Sequence, residues 1–309
     1  MPYHTTAMSN LFHIPWPSRL LFASSLLVLS AVIGLGTGVF GLAPVAVHAD
    51  GPSSGGSSPS QAQPPRLPLT AGERALGARK QVLAQEYVTQ KNAGAPASAL
   101  QAIVAQINEL TGTTSSPMRA TGGVSPFYAA VYLSVTTPEE STSYYCGPAS
   151  GVAVLNWVYS GSPAWNGDSV TQSNLAKSNW LKTDANQETD FYASTWVHTL
   201  NSWTDGTDSG WYELGYSPSS VSYENDMVLD IDNSYPLVDD VYTTSSTGYL
   251  VGYSSGIWYH YVVGSGYGSY GGTTTYDDPY DSGSGSLGRH YGFSNTTMVS
   301  MLGSFGIVW

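Results

Sequence analysis

Ser143-Tyr144-Tyr145-Cys146-Gly147-Pro148-Ala149-Ser150-Gly151-Val152-Ala153-Val154-Leu155-Asn156-Trp157-Val158-Tyr159 contains the only cysteine in a chain of 309 residues. Apolar residues at 149, 152 and 153 and on through Trp157 to Tyr159 fit a buried helix. Pro148 suits the first turn of that helix, where a missing N–H breaks no hydrogen bond. Cys146 is thereby predicted at a helix N-terminus. Free N–H groups and the positive end of the helix dipole favour the thiolate there, and the thiolate is the reactive form. A lone cysteine admits two readings, a buried inert thiol and a nucleophile. The Gly147-Pro148 turn weighs towards the nucleophile, as does the oxidation liability of a free thiol in a chain bound for export.

A nucleophilic thiol needs a base, and the sequence offers six histidines. His4, His13 and His48 fall in the N-terminal segment. His198 closes Phe191-Tyr192-Ala193-Ser194-Thr195-Trp196-Val197-His198, a predicted helix, and reads as a satisfied surface or core residue. His290 follows a flexible Ser/Gly run at 282–286. His260 opens an apolar strand, Tyr259-His260-Tyr261-Val262-Val263-Gly264. Gly266-Tyr267-Gly268 and then Thr273-Thr274-Thr275-Tyr276-Asp277-Asp278-Pro279 come next. This pattern predicts a β-hairpin with a histidine at the head of one strand and a carboxylate at the end of the next. Antiparallel neighbours bring those two points together, so His260 and Asp278 can meet, and the carboxylate would hold the imidazole in one tautomer. The bland alternative is a strand histidine and an ordinary Asp-Asp-Pro turn.

Composition narrows the classes. Charged residues make up 10% of the chain, with 10 Lys and Arg against 22 Asp and Glu and a formal net charge of −12. No basic run exists to neutralise a phosphate backbone, so nucleic acid is not an expected partner. One cysteine allows no intramolecular disulfide, and no Cys/His cluster has metal-ligand spacing, so neither metal nor cofactor is expected. From residue 124 onward Lys177, Lys182 and Arg289 face 18 acidic side chains, a balance of −15. That charge keeps the chain soluble and carries no information about the fold.

Working towards the N-terminus, residues 20–47 follow Arg19, carry no charge and run into Val47-His48-Ala49, which suits signal-peptidase cleavage. Residues 1–49 are therefore expected to be an export signal, with the mature chain starting at Asp50 and secreted. Contact with a membrane is expected only if the signal stays uncleaved; Gly34, Gly36, Gly38, Gly41 and Pro44 weaken it as a spanning helix. Residues 50–69 are Gly, Ser and Pro and read as a disordered spacer. Thr70 and Glu73 form a capping-box pattern, and Leu76, Lys80, Leu83 and Tyr87 recur at helical spacing, which predicts a helix over about 71–91. After the break at Asn92–Pro96, Leu100, Ile103, Val104, Ile107 and Leu110 mark a second helix. The helical hairpin at 70–115 offers no paired acid, base or nucleophile and reads as a propeptide or stalk.

Tyr145-Cys146-Gly147-Pro148-Ala149-Ser150 at a helix start, a later Pro236-Leu237-Val238 strand, His260-Tyr261-Val262-Val263-Gly264 with Tyr267, and Tyr276-Asp277-Asp278-Pro279 resemble one family. It is the papain-like cysteine peptidases related to the bacteriocin-leader (double-glycine) processing peptidases. The resemblance covers roughly residues 128–309. It implies an α+β, papain-like fold in which a helix headed by the nucleophile packs on an antiparallel sheet. In the domain at 124–309 it implies Cys146 as nucleophile, His260 as general base and Asp278 as orienter, acting on a peptide or protein substrate. The chain departs from the family pattern six residues before the cysteine. Glu140 stands where the family has a glutamine that donates to the oxyanion. An ionised carboxylate cannot donate and would repel the developing charge. Either Glu140 works protonated, which favours acidic conditions, or a backbone N–H or Ser141 serves alone, or activity is impaired. Neighbouring Glu139 and the negative domain would raise a carboxyl pKa.

Three functions follow: a secreted thiol peptidase, an amidase or acyltransferase with the same three residues, and a non-catalytic wall- or carbohydrate-binding domain. The last would use exposed aromatics such as Trp196, Trp203, Trp211 and Trp258, although aromatics more often fill cores.

Overall fold

A computed structural model describes residues 67–114, 117, 128–159, 167–253, 258–280, 290–302 and 305–309. The expected export signal at 1–49, the cleavage point before Asp50, the spacer up to residue 66 and the Ser/Gly run at 282–286 lie outside these residues.

The helix α1 (Ala71–Asn92) starts at a reciprocal cap. The Glu73 N–H donates to Thr70 Oγ1 at 3.2 Å, and the Thr70 N–H donates to Glu73 Oε2 at 2.6 Å, so two of the free donors of the first turn are satisfied. A turn through Gly94 leads to α2 (Ala97–Thr111), which ends on Gly112 in the left-handed conformation at φ 73°. Leu100, Ile103 and Ile107 of α2 are buried, as are Lys80, Ala84, Tyr87, Val88 and Lys91 of α1.

The rest of the chain mixes short helices with one sheet. In order come β1 (Val131–Tyr132), α3 (Cys146–Tyr159), α4 (Gln172–Leu175) and α5 (Thr183–Asn186), then a π-helical turn (Ala193–Val197) that runs into α6 (His198–Thr204). They are followed by β2 (Leu214–Tyr216), α7 (Ser220–Asp232), β3 (Leu237–Thr243), β4 (Trp258–Gly268), β5 (Thr273–Asp277), β6 (His290–Ser294), α8 (Asn295–Leu302) and β7 (Gly306–Val308). The strands form a seven-stranded sheet in the order β2-β7-β3-β4-β5-β6, with β1 beside β4, and every pairing is antiparallel. The fold is α+β. α3 packs on β3 and β4, α7 on β1, β3 and β4, and α1 on α7. Trp196, Trp203 and Trp211 are buried in the core, so these three indoles fill the interior, and Trp258 is half-buried.

β4 extends further than the hairpin pattern suggests. Gly266 and Gly268 continue the strand instead of forming a turn; the turn is Ser269–Gly272. The reason is close packing: a Cβ at Gly266 would come within 2.7 Å of both the Tyr132 ring and the Val131 carbonyl oxygen of β1.

The two ends of the β4–β5 pairing are unequal. β5 accompanies β4 from Gly268↔Thr273 to Val263↔Asp277, and the chain then turns away at Asp278-Pro279. Residues 258–262 of β4 keep β3 on one side and lack β5 on the other. The start of α3 docks at this open edge, where Ser150 Oγ donates to the Tyr261 carbonyl oxygen at 3.2 Å. The head of one helix and the head of one strand therefore meet where a third segment turns.

Candidate active site

Tyr145 opens α3, its carbonyl oxygen accepting from the Ala149 N–H at 2.8 Å, so Cys146 occupies the first helical position and Pro148 lies in the first turn. The helix is buried from Gly147 to Leu155, which fixes its start against the sheet. Gly147 has no room for a side chain, since a Cβ there would lie 2.3 Å from Thr189 Oγ1. Thr189 is itself tied to the sheet, its carbonyl oxygen accepting from Tyr261 Oη at 2.7 Å. Cys146 is half-buried and unpaired with any other cysteine.

His260 is 6% exposed, and its Nε2 lies 2.7 Å from Asp278 Oδ1. The Cys146 side chain acts on the same imidazole, and with Nε2 engaged by Asp278 the nitrogen left for the sulfur is Nδ1. Burial alone would lower the imidazole pKa. The charge and hydrogen bond of Asp278, with a smaller contribution from Cys146, outweigh it and hold His260 well above its ordinary value. Asp278 Oδ1 also accepts from the Tyr280 N–H at 2.8 Å, an Asx-type turn that locks the carboxylate. Tyr253 and Tyr280 lie against the imidazole at ring-centroid distances of 5.8 and 6.4 Å, and Tyr253 Oη lies 3.5 Å from Asp278 Oδ1.

Glu140 enters the same site. Its N–H donates to the Pro279 carbonyl oxygen at 3.0 Å, next to Asp278. Its carboxyl interacts with the charges of His260 and Asp278, while Oε2 is buried with no hydrogen-bond partner. Desolvation is the largest cause of a carboxyl pKa pushed up to about 7; the His260 charge opposes it, and Asp278 and Glu139 add to it. Gln172 of α4 clamps the segment from both sides. Its Nε2 donates to the Glu139 carbonyl oxygen at 2.7 Å, and its Oε1 accepts from the Ser141 N–H and Oγ at 2.9 and 3.1 Å. Ser141 Oγ is engaged by Gln172.

The remaining histidines have other settings. His198 Nδ1 lies 2.5 Å from Asp208 Oδ1, and its ring stacks on Trp180 at 5.4 Å. His290 lies in β6, paired in register with Asp277, and its side chain is outside the described residues. Among the described residues no group of His, Cys, Asp and Glu could hold a metal ion.

Cys146, His260, Asp278 and Glu140, drawn from four places in the chain, therefore share one site. Tyr253, Tyr280, Thr189 and Gln172 complete it without having been singled out in the sequence. Tyr280 alone left a trace there, two residues beyond an Asp-Pro turn. A thiol at a helix N-terminus, beside an imidazole that is hydrogen-bonded to a carboxylate, can carry out nucleophilic acyl transfer. Comparison with the curated proteins and with the solved structures finds no match. A family model described as the Peptidase_C39-like family matches residues 130–299, more than half of the chain and a span that holds all four residues. Membership points to a cysteine-peptidase hydrolase acting on a peptide or protein substrate, and the chain belongs to the Peptidase_C39-like family.

Proposed function

We propose that this protein is an exported, papain-like cysteine peptidase that cleaves peptide bonds through Cys146, His260 and Asp278. The observation that carries this reading is His260 Nε2 held 2.7 Å from Asp278 Oδ1, with the Cys146 side chain at the head of α3 acting on the same imidazole. The reaction begins when the Cys146 thiol proton passes to His260, giving a thiolate that faces an imidazolium. The sulfur attacks the scissile carbonyl carbon, and its oxygen becomes an oxyanion bound by the Cys146 N–H and, when protonated, by Glu140. His260 gives its proton to the leaving amine as the C–N bond breaks, which leaves a thioester. Water then attacks the thioester carbonyl; neutral His260 takes a water proton, and collapse of the second tetrahedral intermediate releases the acid and restores the ion pair. Asp278 holds the ring and stabilises its charge at both stages.

The helical hairpin, in this reading, is a retained part of the enzyme. Lys80 and Lys91 of α1 are buried, and Lys91 Nζ lies 2.5 Å from Asp232 Oδ2 of α7. The uncharged run at 20–47 supports export, with maturation at Asp50.

Hydrolysis of a peptide library, followed with labelling by a thiol-directed activity probe, tests the assignment. Cys146→Ala should abolish turnover and labelling, His260→Ala should nearly abolish turnover, and His198→Ala should leave it intact. Turnover surviving in Cys146→Ala would overturn the reading.

A further inference from the structure

The interior between α1, α7 and the approach to β2 holds one ammonium group and three carboxyl groups. Lys80 is fully buried. Its Nζ donates to the Trp211 and Trp309 carbonyl oxygens at 2.7 Å each and sits over the indole rings of the same residues, 4.9 and 4.1 Å from their centroids. Asp230 Oδ1 lies 4.0 Å from this ammonium. Asp226, one helical turn earlier on the same face of α7, and Glu213, just before β2, also act on it. The three carboxyl residues are 0–6% exposed. Asp230 Oδ1 accepts from the Trp211 indole N–H at 2.9 Å, but Oδ2 is buried without a donor. Asp226 likewise has its Oδ1 buried without a donor. The other ionisable groups facing the cluster are the Tyr212 and Tyr235 phenols beside Asp230 and Glu73 beside Glu213. None of them adds a positive charge.

One ammonium cannot neutralise three carboxylates. With all three ionised, two negative charges would stand uncompensated where water does not reach, and a buried anion without a partner is far costlier than the neutral acid. We propose that the fold is completed by proton uptake on this cluster, so that the protein is built for an acidic medium and its interior loosens as the medium turns neutral.

The titration of each group runs the required way. Desolvation is the largest cause in all three. It pushes Glu213 and Asp230 to about 7 and Asp226 well above the ordinary carboxyl value, with the Lys80 charge opposing it each time. Folded carboxyls above their unfolded values of 4.5 and 3.8 contribute stability that is fully present below those values and is lost as pH rises through about 7. Burial lowers Lys80, so the relief of its own penalty lies on the alkaline side. Asp239 of β3 repeats the pattern elsewhere: fully buried, held by the Tyr223 hydroxyl at 3.1 Å, and pushed up to about 7 by desolvation.

Thermal and urea unfolding of the full chain from pH 4 to 8, in a Cys146→Ala background to prevent self-cleavage, tests the proposal. The melting temperature should fall by about 5–10 °C between pH 5 and pH 8, with a pH slope of at least one proton bound on folding. Asp226→Asn keeps the shape and removes one titrating group, so it should reduce that slope by about one proton. Glu213→Gln should do the same and stands in if Asp226→Asn does not fold. A parent stability that is flat or rises from pH 5 to 8 overturns the proposal. A slope unchanged in the variants also overturns it, because the linkage then lies elsewhere.

Discussion

The Glu140 N–H and the Pro279 carbonyl oxygen are joined at 3.0 Å, which couples the segment before the nucleophile to the turn that carries Asp278. Glu140 can donate a hydrogen bond only while protonated, and with its carboxyl pushed up to about 7 that contribution falls as pH rises through neutrality. Glu140→Gln supplies a donor at every pH. It should raise kcat by up to about 10²-fold near pH 8 and flatten the acidic preference. Superimposable pH–rate profiles for the two proteins would show that Glu140 does not touch the oxyanion.

Asp278→Asn tests the orienter. The carboxylate charge and hydrogen bond are what hold His260 well above its ordinary value against burial. Without them the imidazolium loses its proton at lower pH, so the alkaline limb of the rate profile should move to lower pH while kcat falls by about 10²-fold or more. An unchanged alkaline limb would mean that the limb reports another group.

Lys91→Met probes the attachment of α1. Lys91 and Asp232 pair at 2.5 Å with side chains 5% and 2% exposed, and Asp232 also accepts from Tyr87 and Tyr267. Removing the cation leaves a buried carboxylate, which costs about 3–5 kcal/mol. Urea unfolding should show that loss at neutral pH. A change below about 1 kcal/mol would instead mark the pair as a surface-type contact, and the hairpin as a detachable segment.

Export predicts a defined mature end. N-terminal sequencing of protein recovered from the medium or cell envelope should begin at Asp50, and a sequence beginning at Met1 would reject cleavage.

The placement of the candidate site's residues was legible in the sequence where each rests on a local pattern. The apolar run after Gly147-Pro148 places Cys146 at a helix start, and the alternation around His260 with the Asp-Asp-Pro turn places two side chains at one end of a hairpin. The offset between β4 and β5, which opens the edge where α3 docks, has no local signature. It follows from unequal lengths: β4 begins at Trp258, whereas its pairing with β5 starts at Gly268↔Thr273 and ends at Val263↔Asp277. The role of α1 was half visible. Lys80 recurs in the stripe with Leu76, Leu83 and Tyr87, where a lysine is out of place on an apolar face, but its partners lie on α7, near β2 and at Trp309. Local periodicity cannot name partners that distant. β7 likewise enters between β2 and β3 from the far end of the described chain.

The contact between Lys80 and the Trp309 carbonyl oxygen spans 229 positions of sequence. A helix made early on the ribosome must wait for one of the last strands before its ammonium finds that acceptor. Until then Lys80 has carboxyl groups around it but an incomplete set of carbonyl oxygens. Closure of the sheet over the lysine is thus a late, long-range event, of the kind that makes folding slow. A nascent chain stopped short of residue 306 would hold the nucleophile, its base and its orienter in sequence while lacking the strand that sits beside β3 in the sheet on which the nucleophile helix rests.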